Sequence, residues 1–138
     1  MEEMAAQLGL ENVTFAGPQP KSRMPEVLAA SDACLATLKN IPMFRTTYPN
    51  KVFDYMAAGR PTLLAVDGVI RDVLEAANGG IFVLPGSNIA LAEAIQTLRR
   101  QPELGRQMGL AARSYVKRHF NRRDQAQAFR RLLQRVVV

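Results

Sequence analysis

Residues 48–66 read Tyr-Pro-Asn-Lys-Val-Phe-Asp-Tyr-Met-Ala-Ala-Gly-Arg-Pro-Thr-Leu-Leu-Ala-Val, and much of the predicted architecture follows from them. Apolar residues at positions 52, 53, 56 and 57 share one face of a helix over residues 50–58, which suits packing against a sheet. Gly59 ends that helix, and Pro61 prevents its continuation. The apolar run over residues 62–66 then predicts a buried strand.

Three further short apolar runs alternate with helical patterns along the chain. The predicted strands are residues 12–17, 33–38, 62–66 and 81–84. Buried runs without clean polar alternation are typical of a parallel sheet that helices cover on both faces. We therefore expect one α/β domain over residues 1–138. The other predicted helices span residues 1–8, 22–30, 70–77, 88–99, 102–119 and 122–136.

The predicted sheet also indicates where a ligand would bind. Ligands of open parallel sheets bind outside the carboxyl ends of the strands, and the loop of residues 39–50 leaves one such end. The helix that begins at Asn50 and Lys51 attracts anions, and Asp54 on its first turns can accept hydrogen bonds from hydroxyl groups. This pair of features suits a polyol that carries phosphate, such as a nucleotide sugar. The alternative is that Asp54 only complements the helix dipole, which is worth a few tenths of a kcal/mol.

Composition and charge narrow the possible partners. The chain is 48% hydrophobic and 22% charged, with a net charge of +6, and much of the basic excess lies after residue 98. A basic surface of this kind binds nucleic acid, anionic lipid or a phosphorylated substrate, or it is only the solvated side of helices. Since no aromatic residues interleave with the arginines, we expect no specific nucleic-acid binding.

Several other classes of protein and site are disfavoured by the sequence. The longest apolar runs fall well short of the roughly 20 residues that cross a bilayer, and the acidic start is unlike a secretory signal. Dinucleotide, Walker and metal-binding motifs are lacking, so we expect no metal and no cofactor. The single cysteine, Cys34, is expected to be a small buried hydrophobe, and His119 is expected at the surface.

Residues 51–65 resemble the signature of the C-terminal, donor-binding lobe of GT-B glycosyltransferases of family 4, the glycosyl transferases group 1. That signature has two acids spaced as residues 46 and 54 are here, followed by Ala-Met-Ala-x-Gly and an apolar strand. Residues 12–17, 30–36 and 80–85 and the closing helices stand in the family's order. The resemblance implies a Rossmann-like parallel sheet with helices on both faces, and a retaining transferase that uses a nucleotide sugar.

The resemblance also implies roles for individual residues. Asp54 stands where the family's second acid accepts hydrogen bonds from the ribose hydroxyls, and the backbone at Asn50 and Lys51 would face the diphosphate. Thr46 stands where the first acid normally contacts the donor sugar, and a threonine cannot supply that charge. The loop that includes Thr47, Tyr48 and Pro49 would replace this contact.

Pro49, Asn50 and Lys51 are most similar to the subgroup that builds bacterial surface polysaccharides, often with N-acetylated amino sugars. The implied donor is therefore a UDP-sugar, and the implied acceptor is a polysaccharide or a lipid-linked molecule. The implied location is cytoplasmic, peripheral at the inner face of the membrane, with an anionic membrane surface as a further partner.

The chain also departs from the family pattern at its beginning. The family's lobe normally starts with a strand of the type Leu-x-Ile-Val-Gly, preceded by a basic pair and by the acceptor-binding lobe. We expect a lobe that lacks its first strand and holds no catalytic residue of its own. The chain would then be a fragment, a truncated product, or a subunit that the N-terminal acceptor lobe or another chain completes.

An alternative interpretation keeps the fold and abandons the chemistry. In that interpretation the chain is a non-catalytic α/β module that binds a membrane surface, nucleic acid or a protein partner through its basic helices. A nucleotide titration separates the two interpretations, because only the donor-binding lobe should respond to UDP.

Overall fold

A computed structural model describes residues 1–136, and its centre is one sheet of three parallel strands. The strands are β1 (Cys34–Thr37), β2 (Thr62–Ala65) and β3 (Gly80–Phe82), in the order β1-β2-β3. Cys34 lies opposite Thr62, which in turn lies opposite Gly80. β1 and β2 fall within apolar runs that the sequence predicts as strands, and β3 overlaps the predicted strand 81–84 but begins one residue earlier, at Gly80. The predicted parallel α/β sheet is therefore confirmed.

Helices connect and follow these strands, much as the helical patterns predict. Short polar side chains begin two of them: the Ser87 hydroxyl accepts from the Ala90 amide, and the Asn121 side chain accepts from the Arg123 amide. The chain also forms two 3-10 helices, Lys21–Arg23 and Pro42–Thr46. The α-helices are α1 (Glu2–Gln7), α2 (Met24–Ala29), α3 (Asn50–Ala57), α4 (Val69–Ala76), α5 (Asn88–Arg100), α6 (Pro102–His119) and α7 (Arg122–Val136).

Apolar side chains cover the sheet on both faces, because successive residues of a strand point to opposite sides. On one face, Ala36 and Leu64 pack with residues of α3, α4 and α6. On the other face, Leu63 and Ala65 pack with Ala94 and Leu98 of α5. The predicted arrangement of helices on both faces is therefore confirmed. Cys34 is buried, as its apolar surroundings predict.

The prediction of a fourth strand over residues 12–17 is wrong. These residues have no regular structure, and the apolar side chains Val13 and Phe15 are exposed. A strand is stable only beside a partner. In the part of the chain that the structure describes, β1 pairs with β2 alone, and no strand lies along its other edge. The local pattern of residues 12–17 therefore has no ladder to join.

Two smaller predictions need correction. The loop predicted over residues 39–50 contains a 3-10 helix, Pro42–Thr46, and its last residue, Asn50, begins α3. Ala57 is exposed, although the helical pattern places it on the apolar face with Val52 and Met56, which are fully buried. Among residues 1–136, no helix is both long and apolar enough to span a bilayer.

A close backbone contact fixes the loop that follows β1. Gly68 is the cap residue before α4 and has φ 101° and ψ −154°, a conformation that is almost restricted to glycine. A Cβ atom at Gly68 would overlap the carbonyl oxygen of Arg45. The 3-10 helix Pro42–Thr46 therefore packs directly on the turn that leads from β2 into α4.

We expect Gly68→Ala to lower the free energy of unfolding by about 3 kcal/mol, because strained backbone and a steric clash act together. Gly86→Ala is the matched control, since Gly86 also has positive φ but has no atoms within 4 Å of an added Cβ. That change should cost only about 1 kcal/mol. Urea denaturation of both variants measures the difference, and equal losses would contradict the role of the Arg45 contact.

Candidate functional site

The carboxyl ends of the three strands lead to one edge of the sheet, as the sequence predicts. Residues from the exits of all three strands line a single small cavity there, among them Leu38 after β1, Asp67 after β2 and Pro85 after β3. Arg45, from the 3-10 helix, lines the same cavity. The loop of residues 39–50 and the turn Asp67-Gly68 therefore converge at this edge, which we call the carboxyl edge.

Helix α3 begins at the carboxyl edge with free backbone donors. Its cap residue is Pro49, which is buried and provides no side-chain hydrogen bond to the helix start. The Val52 amide donates to the Pro49 carbonyl oxygen at 3.0 Å. The amides of Asn50 and Lys51 precede it, and the first amides of a helix have no acceptor within the helix. This helix start can therefore bind an anion.

Two polar side chains of α3 bond it to β1. The Lys51 ammonium donates to the carbonyl oxygen of Thr37 at 3.3 Å, and the Tyr55 hydroxyl donates to that of Leu35 at 3.4 Å. The Cys34 amide donates to the Pro61 carbonyl oxygen, just before β2, so the backbone groups of Cys34 point toward β2. The backbone groups of the alternate residues, Leu35 and Thr37, therefore point away from β2. The carbonyls of Leu35 and Thr37 therefore lie on the free edge of β1. Lys51 is thereby fixed beside the end of β1.

Asp54 lies on the same face of α3 as Lys51, one turn further along the helix. Its side chain is exposed. Burial raises the pKa of Tyr55 above its ordinary value of 10.0, and the charges of Cys34 and Asp54 raise it further. The structure leaves the Asp54 carboxylate accessible to a ligand.

The segment before Asn50 consists of Thr46, which ends the 3-10 helix, and of Thr47, Tyr48 and Pro49, which lead into α3. The hydroxyls of Thr46 and Thr47 both donate to the Met43 carbonyl oxygen, at 3.3 and 3.0 Å, so they stabilise the end of the 3-10 helix. Tyr48 is 52% exposed, and its ring lies 6.2 Å from that of Phe53, centroid to centroid. These residues lie at the carboxyl edge, and the two threonine hydroxyls already have a backbone acceptor.

Sequence reasoning missed two basic residues near this edge. Arg45 lines the cavity, and Arg71 of α4 lies 3.5 Å from the Asp67 carboxylate and 2.7 Å from that of Glu75. The guanidinium of Arg71 also lies 4.0 Å from the ring centre of Phe82, so its contacts are largely within the chain. For Arg71, the sequence feature that could have indicated this position is the turn Asp67-Gly68, which places the start of α4 at the same edge.

A larger cleft, of about 740 Å³, lies at the opposite edge of the sheet. Its lining includes Ala33 and Pro61, which precede β1 and β2, together with Leu98 of α5. The cleft is therefore separate from the carboxyl edge and from Asp54. Among the described residues, no three His, Cys, Asp or Glu side chains are grouped as metal ligands would be.

The family assignment rests on comparison with known proteins. The family model described as glycosyl transferases group 1 matches residues 1–101, most of the chain. The chain belongs to this family. It is 31% identical over 111 residues to D-inositol 3-phosphate glycosyltransferase from Nocardia farcinica. That alignment covers 80% of the chain but only 24% of the relative, so the chain spans about a quarter of the relative's length.

Solved structures share the fold of this glycosyl transferases group 1 chain. Sucrose-phosphate synthase from Thermosynechococcus elongatus superposes with a TM-score of 0.85 at 24% identity, over 98% of the chain and 33% of the synthase. HepE from Anabaena, solved in complex with UDP-glucose, superposes with a TM-score of 0.82 at 23% identity. That match covers 96% of the chain and 35% of HepE. The Rossmann-like lobe of the GT-B fold is therefore confirmed.

The raised pKa values of Tyr55 and Cys34 predict a loss of stability in alkali. Burial raises the pKa of Cys34 above 9.0, as it raises that of Tyr55 above 10.0. A pKa that is raised in the folded state means that folding favours the protonated form of the group. The group therefore contributes its full stabilisation of the fold below its ordinary pKa and loses it as pH rises through the folded-state pKa. We expect the free energy of unfolding to fall above about pH 9, and Tyr55→Phe to make that fall shallower. Urea denaturation across this pH range measures both slopes, and identical slopes would contradict the prediction.

Proposed function

We propose that the chain is the donor-binding lobe of a retaining glycosyltransferase and that its carboxyl edge binds a UDP-sugar. The observation that carries the proposal is the arrangement of α3, which presents a helix start, the Lys51 ammonium and the exposed Asp54 carboxylate on one side. The family membership supports a transferase, and the UDP-glucose complex of HepE supports this class of donor. The sugar transferred would be a hexosyl or N-acetylhexosaminyl group.

The diphosphate would lie at the beginning of α3. The free amides of Asn50 and Lys51 can donate hydrogen bonds to the phosphates, and the helix dipole attracts negative charge to the same place. The hydrogen bond from Lys51 to Thr37 holds its ammonium beside the end of β1, so a positive charge is fixed near that position before any ligand arrives. Fixed donors of this kind stabilise a departing diphosphate with little reorganisation.

The ribose would lie along the next turn of α3. Asp54 is exposed there, and a carboxylate accepts two hydroxyl groups of a ribose well. Hydrogen bonds to a charged group stabilise by about 1.5–3 kcal/mol, which is roughly tenfold to a hundredfold in affinity. The segment of Thr46, Thr47, Tyr48 and Pro49 would contact the sugar through its backbone and the exposed Tyr48 ring.

In this proposal, the described residues bind only the donor of the reaction. No residue of the chain is assigned a catalytic role, and the acceptor side belongs to an N-terminal lobe or to another chain. The complete enzyme would transfer the sugar to a polysaccharide or lipid-linked acceptor, in the cytoplasm at the inner face of the membrane. We expect the isolated chain to bind UDP weakly and to transfer no sugar.

We expect Asp54→Ala to weaken binding of both UDP and uridine by at least about tenfold, because both ligands carry the ribose. Isothermal titration calorimetry with each ligand measures this effect. Asp32→Asn is the matched control, since it removes an exposed carboxylate next to the amino end of β1. Unchanged UDP affinity in the Asp54 variant would refute the ribose assignment, and an effect of the same size in the Asp32 variant would show that the effect is not local.

Lys51→Gln separates the diphosphate assignment from the ribose assignment. We expect this variant to weaken UDP binding about fivefold and to leave uridine binding unchanged, because only UDP carries the charge that the ammonium attracts. Titration of the two ligands into the same variant measures the ratio directly. An equal loss for both ligands would indicate that Lys51 acts by positioning α3 rather than by contacting phosphate.

If UDP causes no calorimetric response at all, the alternative of a non-catalytic module gains support. The observation that favours this alternative is the excess of basic residues after residue 98. Sugar transfer by the isolated chain would contradict the proposal in another way, because it would require a complete active site within these residues.

A further inference from the structure

The large cleft beside the amino ends of β1 and β2, which we call the amino-edge cleft, has apolar walls. Its volume of about 740 Å³ lies within the range of about 300–1,000 Å³ that is typical of small-molecule sites. Two of the apolar side chains that line it, Leu35 of β1 and Ile95 of α5, are 42% and 46% exposed. An apolar group that entered the cleft would remove part of this surface from water, which favours its binding.

The charged side chains that line the amino-edge cleft are mainly basic. They are one acid, Asp32, and three arginines, at positions 60, 99 and 106. Arg106 pairs with Glu103 of its own helix. In the part of the chain that the structure describes, no carboxylate forms an ion pair with Arg60 or Arg99. Two positive charges at the cleft are therefore available to an anion.

Arg60 is held in position by the backbone of α2. The residue is partly buried, and its guanidinium donates to the carbonyl oxygen of Ala29, the last residue of α2. Its Nε atom is buried and has no hydrogen-bond partner among residues 1–136. A charged group that is removed from water without full pairing costs free energy, and a nearby anion would offset that cost. Because the guanidinium is already fixed, it would lose little entropy on binding.

We propose that the amino-edge cleft binds a phosphate monoester with an apolar body. The phosphate lies at Arg60 and Arg99, and the apolar body lies against Leu35 and Ile95. Guanidinium groups match the geometry of phosphate, and two of them balance the roughly two negative charges of a monoester at neutral pH. Inorganic phosphate would leave the apolar walls in water, and a neutral apolar molecule would leave the arginines without an anion. The inference does not depend on the donor assignment, since it uses none of the residues at the carboxyl edge.

Calorimetry with naphthyl phosphate, inorganic phosphate and naphthol tests this inference. We expect naphthyl phosphate to bind at least about tenfold more tightly than either of the others, because it alone meets both the arginines and the apolar walls. Equal affinity for inorganic phosphate would overturn the role of the walls, and equal affinity for naphthol would overturn that of the arginines. No response to naphthyl phosphate would overturn the whole inference.

Two pairs of variants on α5 locate the site. Arg99→Gln should weaken binding of naphthyl phosphate at least about fivefold, and Arg100→Gln should leave it unchanged. Both arginines lie in the last turn of α5, but only Arg99 lines the cleft. Ile95→Ser should also weaken binding about fivefold, and Ile89→Ser, which changes an exposed residue of α5 outside the cleft, should not. Equal effects within a pair, including no effect of either variant, would overturn the assignment.

Arg60 and Lys51 complete the test. We expect Arg60→Gln to weaken binding of naphthyl phosphate at least about tenfold. Thermal unfolding shows whether this variant keeps its fold without the bond to Ala29; a folded variant with full affinity would overturn the role of Arg60, and the α5 pairs decide the question if it unfolds. Lys51→Gln should bind naphthyl phosphate as the original chain does. A loss of binding in that variant would place the phosphate at the carboxyl edge and overturn the inference, whatever UDP does.

Discussion

The packing of α3 on the sheet is the interaction on which the fold and the candidate site both depend. Val52 and Met56 of this helix are fully buried against Ala36 of β1 and Leu64 of β2. Burial of a Val or Met side chain stabilises by about 1.5–3 kcal/mol, so these two anchors contribute several kcal/mol. They also determine where the helix begins and which way its polar face points. The apolar side of α3 thus fixes the position of the donors and the carboxylate on its other side.

The loop before α3 is positioned by a close backbone contact and by two local threonine hydrogen bonds. The 3-10 helix Pro42–Thr46 rests on Gly68, and the hydroxyls of Thr46 and Thr47 bond its carbonyl at Met43. A short chain segment with both ends held in this way loses little further entropy when it meets a ligand. A loop held in this way suits the proposed binding of a nucleotide sugar at the carboxyl edge.

The sequence predicted the parts of the fold that depend on local patterns. Burial in or against a sheet requires apolar residues at regular positions. This pattern is recognisable in the apolar runs around β1, β2 and β3 and in the apolar face of α3. The strand over residues 12–17 was predicted wrongly because pairing depends on a distant neighbour that no local pattern reveals. Arg45 and Arg71 were missed for a similar reason, since their position depends on the path of loops. The roles of Asp54, Asn50 and Lys51 remain predictions, and the structure supplies their geometry alone.

The hydrogen bonds from Lys51 and Tyr55 to β1 also bear on how the sheet can grow. Their acceptors, the carbonyls of Thr37 and Leu35, are the same groups that an additional strand beside β1 would need. Covering such acceptors is one way in which proteins protect an exposed sheet edge from unwanted pairing. Any strand that joined this edge would have to displace the Lys51 ammonium. Extension of the sheet along this edge and the observed position of the Lys51 ammonium therefore exclude each other.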